Sequence, residues 1–79
     1  MNTFEVGKSK VWEAYKKYFA NEKILQEDID YNSGYVYLYL DGVAIGSMLG
    51  GDVEYLVYDE ERDCEKIFYS IEEFKSHIK

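Results

Sequence analysis

At 79 residues, with 16 acidic against nine basic residues and a net charge of −7, the chain has room for one domain, residues 1–79, and would repel nucleic acid and anionic membrane as direct ligands. A hydrophobic fraction of 47%, including Trp12, four Phe and nine Tyr, keeps it out of the disordered regime. The single thiol, Cys64, and single imidazole, His77, exclude an intramolecular disulfide and a Cys/His metal cage, so the apolar core must hold the fold alone.

The opening Met1-Asn2-Thr3-Phe4-Glu5 lacks the basic region and apolar run of a secretory leader, and neither a Gly at position 2 nor a Cys near the C-terminus offers a lipid anchor. A soluble, cytoplasmic protein is the expectation. Residues 9–21 read as a helix capped by Ser9, because Val11, Trp12, Tyr15, Tyr18 and Phe19 recur at three- and four-residue spacing. Lys10, Glu13, Lys16 and Lys17 fall on its wet face, with Glu13 and Lys17 in the favourable i,i+4 order.

The period then changes to two. Leu25, Ile29 and Tyr31 alternate with Gln26, Asp28 and Asp30, a strand with one acidic face that ends in the Asn32-Ser33-Gly34 turn. Tyr35 to Leu40 and Val43 to Met48 flank Asp41-Gly42, the signal of a hairpin with a two-residue type I′ loop. That loop sets the register: Leu40/Val43, Leu38/Ile45 and Val36/Ser47 share one face, and Tyr39/Ala44, Tyr37/Gly46 and Tyr35/Met48 the other. The aliphatic face is the predicted core, with Tyr37 covering the bare backbone of Gly46.

Leu49 to Asp52 reads as a turn, and Val53 to Tyr58 and Cys64 to Tyr69 as a second hairpin around Asp59 to Asp63, with Tyr58 opposite Cys64 and Tyr55 opposite Ile67. Val53, Tyr55, Val57, Ile67 and Tyr69 are its expected buried set. Ser70 and Glu73 form a capping box that opens a last helix, whose stripe is Ile71, Phe74 and Ile78. The order is helix, antiparallel meander of four to five strands, helix: an α+β, two-layer domain with both helices on one sheet face.

Catalytic and cofactor signatures are weak. Asp28, Asp30, Asn32 and Gly34 resemble the start of a calcium loop, but Ser33 stands where that loop needs Gly and Tyr39 where it needs Glu. Gly42, Gly46, Gly50 and Gly51 follow no phosphate-loop or dinucleotide spacing. Cys64 reads as a small strand residue and His77 as a cation complementing a helix C-terminus. No catalytic, metal or cofactor residues are assigned, and a non-enzyme is expected.

The charge is concentrated. Between Ile24 and Glu65 stand eleven acidic residues against Arg62 alone, a net charge of −10, while the segments on either side are slightly basic. Most charge runs are solvated faces that keep a protein soluble, yet this one is expected in one sheet and its loops, a self-repulsion that a basic partner would relieve. Tyr35, Tyr37 and Tyr39 on one strand face fit a docking stripe and, equally, cross-strand packing that binds nothing. By size and charge the chain resembles small acidic inhibitors of phages and mobile elements, including DNA mimics that fill nuclease clefts, and immunity proteins that neutralise basic toxin nucleases. Tyr69 to Phe74 resembles the last helix of some immunity-type domains over those six residues. The sequence thus points to a non-catalytic binding protein for a basic partner such as a nuclease or other nucleic-acid-binding protein. Its expected contact residues are Asp28, Asp30, Tyr35, Tyr37, Tyr39, Asp59, Glu60, Glu61 and Asp63. The alternative is a self-association module, a homodimer through the tyrosine face.

Overall fold

The computed structural model describes residues 2–78, without the side chain of Ile78. Helix α1 (Thr3–Tyr18) starts two turns before Ser9, because Asn2 is the cap: its side-chain oxygen accepts the Glu5 N–H at 2.9 Å. Gly7, costly in a free helix, is buried where α1 crosses the sheet, and a Cβ there would stand 3.4 Å from Ser47 Oγ and 3.5 Å from Val36 Cγ2. The helix ends at Tyr18, with Phe19 as its C-cap, three residues short of Asn21, and the Tyr15 hydroxyl donates to the Glu22 carbonyl to close the turn that follows. Val11 and Ala14 are buried beside Gly7, flanked by Trp12, Tyr15, Tyr18 and Phe19. Glu13 and Lys17 make no ion pair; the Lys17 ammonium lies 5.3 Å from the Tyr18 ring centre.

Five antiparallel strands follow, β1 (Gln26–Asp30), β2 (Tyr35–Tyr39), β3 (Ala44–Met48), β4 (Glu54–Asp59) and β5 (Cys64–Phe68), paired in chain order as a meander. The β2–β3 register is as the sequence predicts, from Tyr35 opposite Met48 to Tyr39 opposite Ala44. The intervening turn is not type I′: only Gly42 takes a positive φ, 83°, and Asp41 does not. Leu49 and Gly50, at φ 53° and 74°, reverse the chain between β3 and β4, and the Lys10 ammonium donates to the Gly50 carbonyl at 2.8 Å, tying that corner to α1.

The β4–β5 register departs from expectation by one residue. Tyr55 faces Phe68, and Asp59 faces Cys64. The Asp59 carboxylate accepts the N–H groups of Glu61 and Arg62, and Asp63 takes a left-handed φ of 52°, which closes the loop over residues 60–63 instead of 59–63. A slip of one exchanges the two faces of a strand. Phe68 is therefore buried, while Ile67 and Tyr69, expected in the core, are exposed, and Glu65 passes to the opposite face. Tyr55 is buried and Val53 and Val57 pack against the core, as expected. At β1, Leu25 and Tyr31 are exposed and only Ile29 is half-buried.

Helix α2 (Ile71–Ile78) begins at Ser70, whose Oγ accepts the Glu73 N–H at 3.2 Å. Ile71 and Phe74 are buried; the expected role of the Ile78 side chain lies outside the described residues. Phe74 anchors the helix in an aromatic cluster, with ring centres 5.6 Å from Phe19, 5.8 Å from Tyr55 and 6.1 Å from Phe68. Both helices lie on the sheet face of Val36, Leu38, Ile45, Tyr55 and Phe68, α1 over β2 and β3 and α2 against β5. Leu38 and Ile45 are fully buried there, with Trp12 and Phe74 in the same core. No helix among the described residues is long and apolar enough to cross a membrane.

Candidate functional site

Strand alternation dictates what the uncovered face carries. Through the observed register, Asp28 and Asp30 of β1, Tyr35, Tyr37 and Tyr39 of β2, Ala44, Gly46 and Met48 of β3, Glu54, Leu56 and Tyr58 of β4, and Glu65 and Ile67 of β5 project from the side away from the helices. The tyrosines form a ladder: Tyr35 stacks on Tyr37 at 4.9 Å between ring centres, and Tyr37 on Tyr39 at 5.6 Å. All three are half-buried. The Tyr37 ring lies so close over Gly46 that a Cβ there would come within 3.1 Å of it, which answers why the position is bare. The Tyr35 hydroxyl donates to Glu54 Oε1 at 3.0 Å and thereby satisfies a carboxylate that is only 9% exposed.

A groove of about 550 Å³ runs over Tyr37, Tyr39, Ala44 and Leu56, with Asp28 and Asp30 on one side and Glu65 on the other. The curled sheet thus brings carboxylates from its two edge strands to the same depression. Among the described residues the ion pairs are Lys8 with Glu27 and Arg62 with Asp59, and neither is on this face. Met48, Tyr58 and Ile67 add exposed apolar surface. Such a patch, apolar and aromatic with a charged rim, is the anatomy of an interaction surface.

Two carboxylates here serve the chain as well as the surface. Asp28 Oδ1 accepts the Ile29 N–H at 2.9 Å on the open edge of β1, and Asp30 Oδ1 accepts from Asn32 and, more weakly, Ser33. The Ser33 hydroxyl and the Asn32 N–H hold the Asp30 pKa below its ordinary value. Asp59 at the end of β4 and the loop residues Glu60, Glu61 and Asp63 lie elsewhere. They leave β4 and β5 at the Gly42 end of the sheet, on the order of 14 Å from β1 by strand spacing alone, and none of them lines the groove. Only Asp63 touches the face, by accepting the Tyr58 hydroxyl, which raises the Tyr58 pKa. Glu54 and Glu65 are the site residues that sequence reasoning passed over; in the misassigned register Glu65 belongs to the core side.

Burial first, and then the neighbouring phenols Tyr35 and Tyr39, push the Tyr37 hydroxyl up to about 12. Tyr35 is raised by burial and the Glu54 carboxylate, and Tyr39 by burial and by Asp28 and Glu65 from either side. A tyrosine whose pKa is higher folded than unfolded stabilises the fold fully below pH 10.0, the unfolded value, and loses that contribution as the pH climbs to about 12. Alkaline unfolding is therefore expected between pH 10 and about 12, with part of the tyrosinate absorbance appearing only as the circular dichroism collapses. Tyrosines that all ionise near 10 in a folded chain would contradict the ladder geometry.

In comparisons with family models, curated proteins and solved structures, nothing matches this chain.

Proposed function

We propose that the chain is a small non-catalytic binding protein that docks its open sheet face on a basic protein surface, the nucleic-acid-binding cleft of a nuclease or similar protein, and blocks it. One observation carries this reading. Asp28, Asp30 and Glu65 share a half-exposed tyrosine face on which the strand register places no Lys or Arg. Complementary charge fixes orientation and favours the right partner, while the aromatic floor supplies stiff contact area. Self-pairing of the same face in a two-fold dimer would bring two acidic faces together with no Lys or Arg between them, so the alternative of a homodimer is the weaker fit.

The test is a panel of purified basic nucleases and DNA-binding proteins, each assayed for binding and for inhibition of its nucleic-acid contacts. Wild-type protein is expected to inhibit at least one member at low salt and to weaken as salt screens the charges. Neutralising Asp28, Asp30 and Glu65 together to Asn or Gln should weaken binding by roughly tenfold or more, and Asp59, Glu60, Glu61 and Asp63 together should do less, since exposed charges off the contact contribute little singly. Absence of binding to any member, or binding indifferent to salt and to both variants, would overturn the reading; light scattering would then show whether the protein is a dimer.

A further inference from the structure

The three ladder tyrosines are not equally free. Tyr35 has its hydroxyl committed to Glu54, and Tyr37 has a ring stacked on each side and Gly46 beneath it. Tyr39 ends the ladder: it stacks on Tyr37 with one face, its hydroxyl has no hydrogen bond to the described residues, and beside it opens a second groove of about 220 Å³. That groove is mostly apolar, walled by Gly42, Ala44, Leu56 and Tyr58, and Glu65 stands in it as the charged group. Asp28 and Glu65 both lie close enough to Tyr39 to disfavour its phenolate, so negative charge reaches this ring from both edges of the sheet.

We infer that this groove seats an arginine side chain of the basic partner, its guanidinium laid against Tyr39 as a further member of the ladder and paired with Glu65. The inference rests on the docking reading above and names the anchor. Arginine fits better than lysine because its planar, weakly hydrated guanidinium stacks on an aromatic face and presents a fork of donors to a carboxylate, whereas a lysine ammonium is a compact, strongly hydrated point charge. Charge complementarity selects a cation here; the flat apolar groove beside an uncapped ring selects the guanidinium.

The experiment titrates two acetylated, amidated peptides of equal charge, one alternating Arg with Ser and one alternating Lys with Ser, into the whole protein, with affinity and amide shifts followed by NMR. The arginine peptide should bind roughly 3- to 30-fold tighter, the span of a cation–π contact at a partly desolvated site. Its largest shifts should fall at Tyr39, Ala44, Leu56 and Glu65. Tyr39→Leu should abolish the preference and Tyr39→Phe should keep it, while Glu65→Gln should weaken both peptides. Equal affinity of the two peptides, or shifts centred on residues 60–63, would overturn the anchor while leaving the docking face intact. No binding of either peptide would also overturn the anchor, and the nuclease panel then judges the docking face independently. Should Tyr39→Leu fail to fold, the peptide comparison and shift map on the wild type decide the matter alone.

Discussion

Replacing Leu38 by Ala is expected to cost about 2 to 5 kcal/mol, the range for a buried large-to-small change. Leu38 sits in β2, opposite Ile45, and both are fully buried beneath α1. Collapse into the space is resisted because β2 is held on both sides by β1 and β3. A single core of this size supplies only roughly 3 to 5 kcal/mol of net stability, so the variant should lose a large share of it. Urea unfolding followed by circular dichroism measures it. A loss below about 0.5 kcal/mol would mean that the helices cover the other sheet face.

Phe74→Ala should be at least as damaging, about 3 to 5 kcal/mol. α2 is short and would not persist in isolation, so its order depends on what it buries. That is Ile71 and Phe74, and Phe74 meets rings from three other parts of the chain: Phe19 after α1, Tyr55 in β4 and Phe68 in β5. Removing the ring empties the centre of that cluster and detaches α2 from the sheet. Amide exchange would separate this outcome from the Leu38 case. In the population that stays folded, protection should vanish first along residues 71–78 and at the Phe68 end of β5, with β2 and β3 losing it only on global unfolding. Uniform protection in a variant of wild-type stability would refute the anchoring role.

The parts of the fold that sequence reasoning recovered are those where local chemistry and the global arrangement agree. Asp41-Gly42 between two alternating runs fixed the central register even though the turn belongs to a different type, because a two-residue loop sets pairing whatever its φ values. Ser70 and Glu73 announced α2 in the same way. The start of α1 is concealed by Gly7, a poor helix former that burial against the sheet holds in the helix. The second hairpin slipped because its loop carries no glycine to mark the left-handed position, which Asp63 fills instead. The candidate site inherited both outcomes. Alternation along β1 and β2 was enough to place Asp28 and Asp30 beside the tyrosines, whereas Glu65 depended on the hairpin register and was invisible without it.

The separation of the helices from the open face also sorts the charges. α1 carries Lys8, Lys10, Lys16 and Lys17 against Glu5 and Glu13, Lys75 of α2 is outweighed by Glu72 and Glu73, and Lys66 of β5 points to the helix side, its ammonium 5.5 Å from the Phe68 ring centre. Asp28, Asp30, Glu54 and Glu65 occupy the opposite side. The molecule therefore sets a net basic α1 against an acidic open sheet face. In the field of a cationic protein such a body experiences a torque before it touches anything, so productive encounters arrive face first instead of being sampled by random tumbling. The advantage is one of rate, and it fades as the screening length shortens toward about 8 Å at physiological ionic strength.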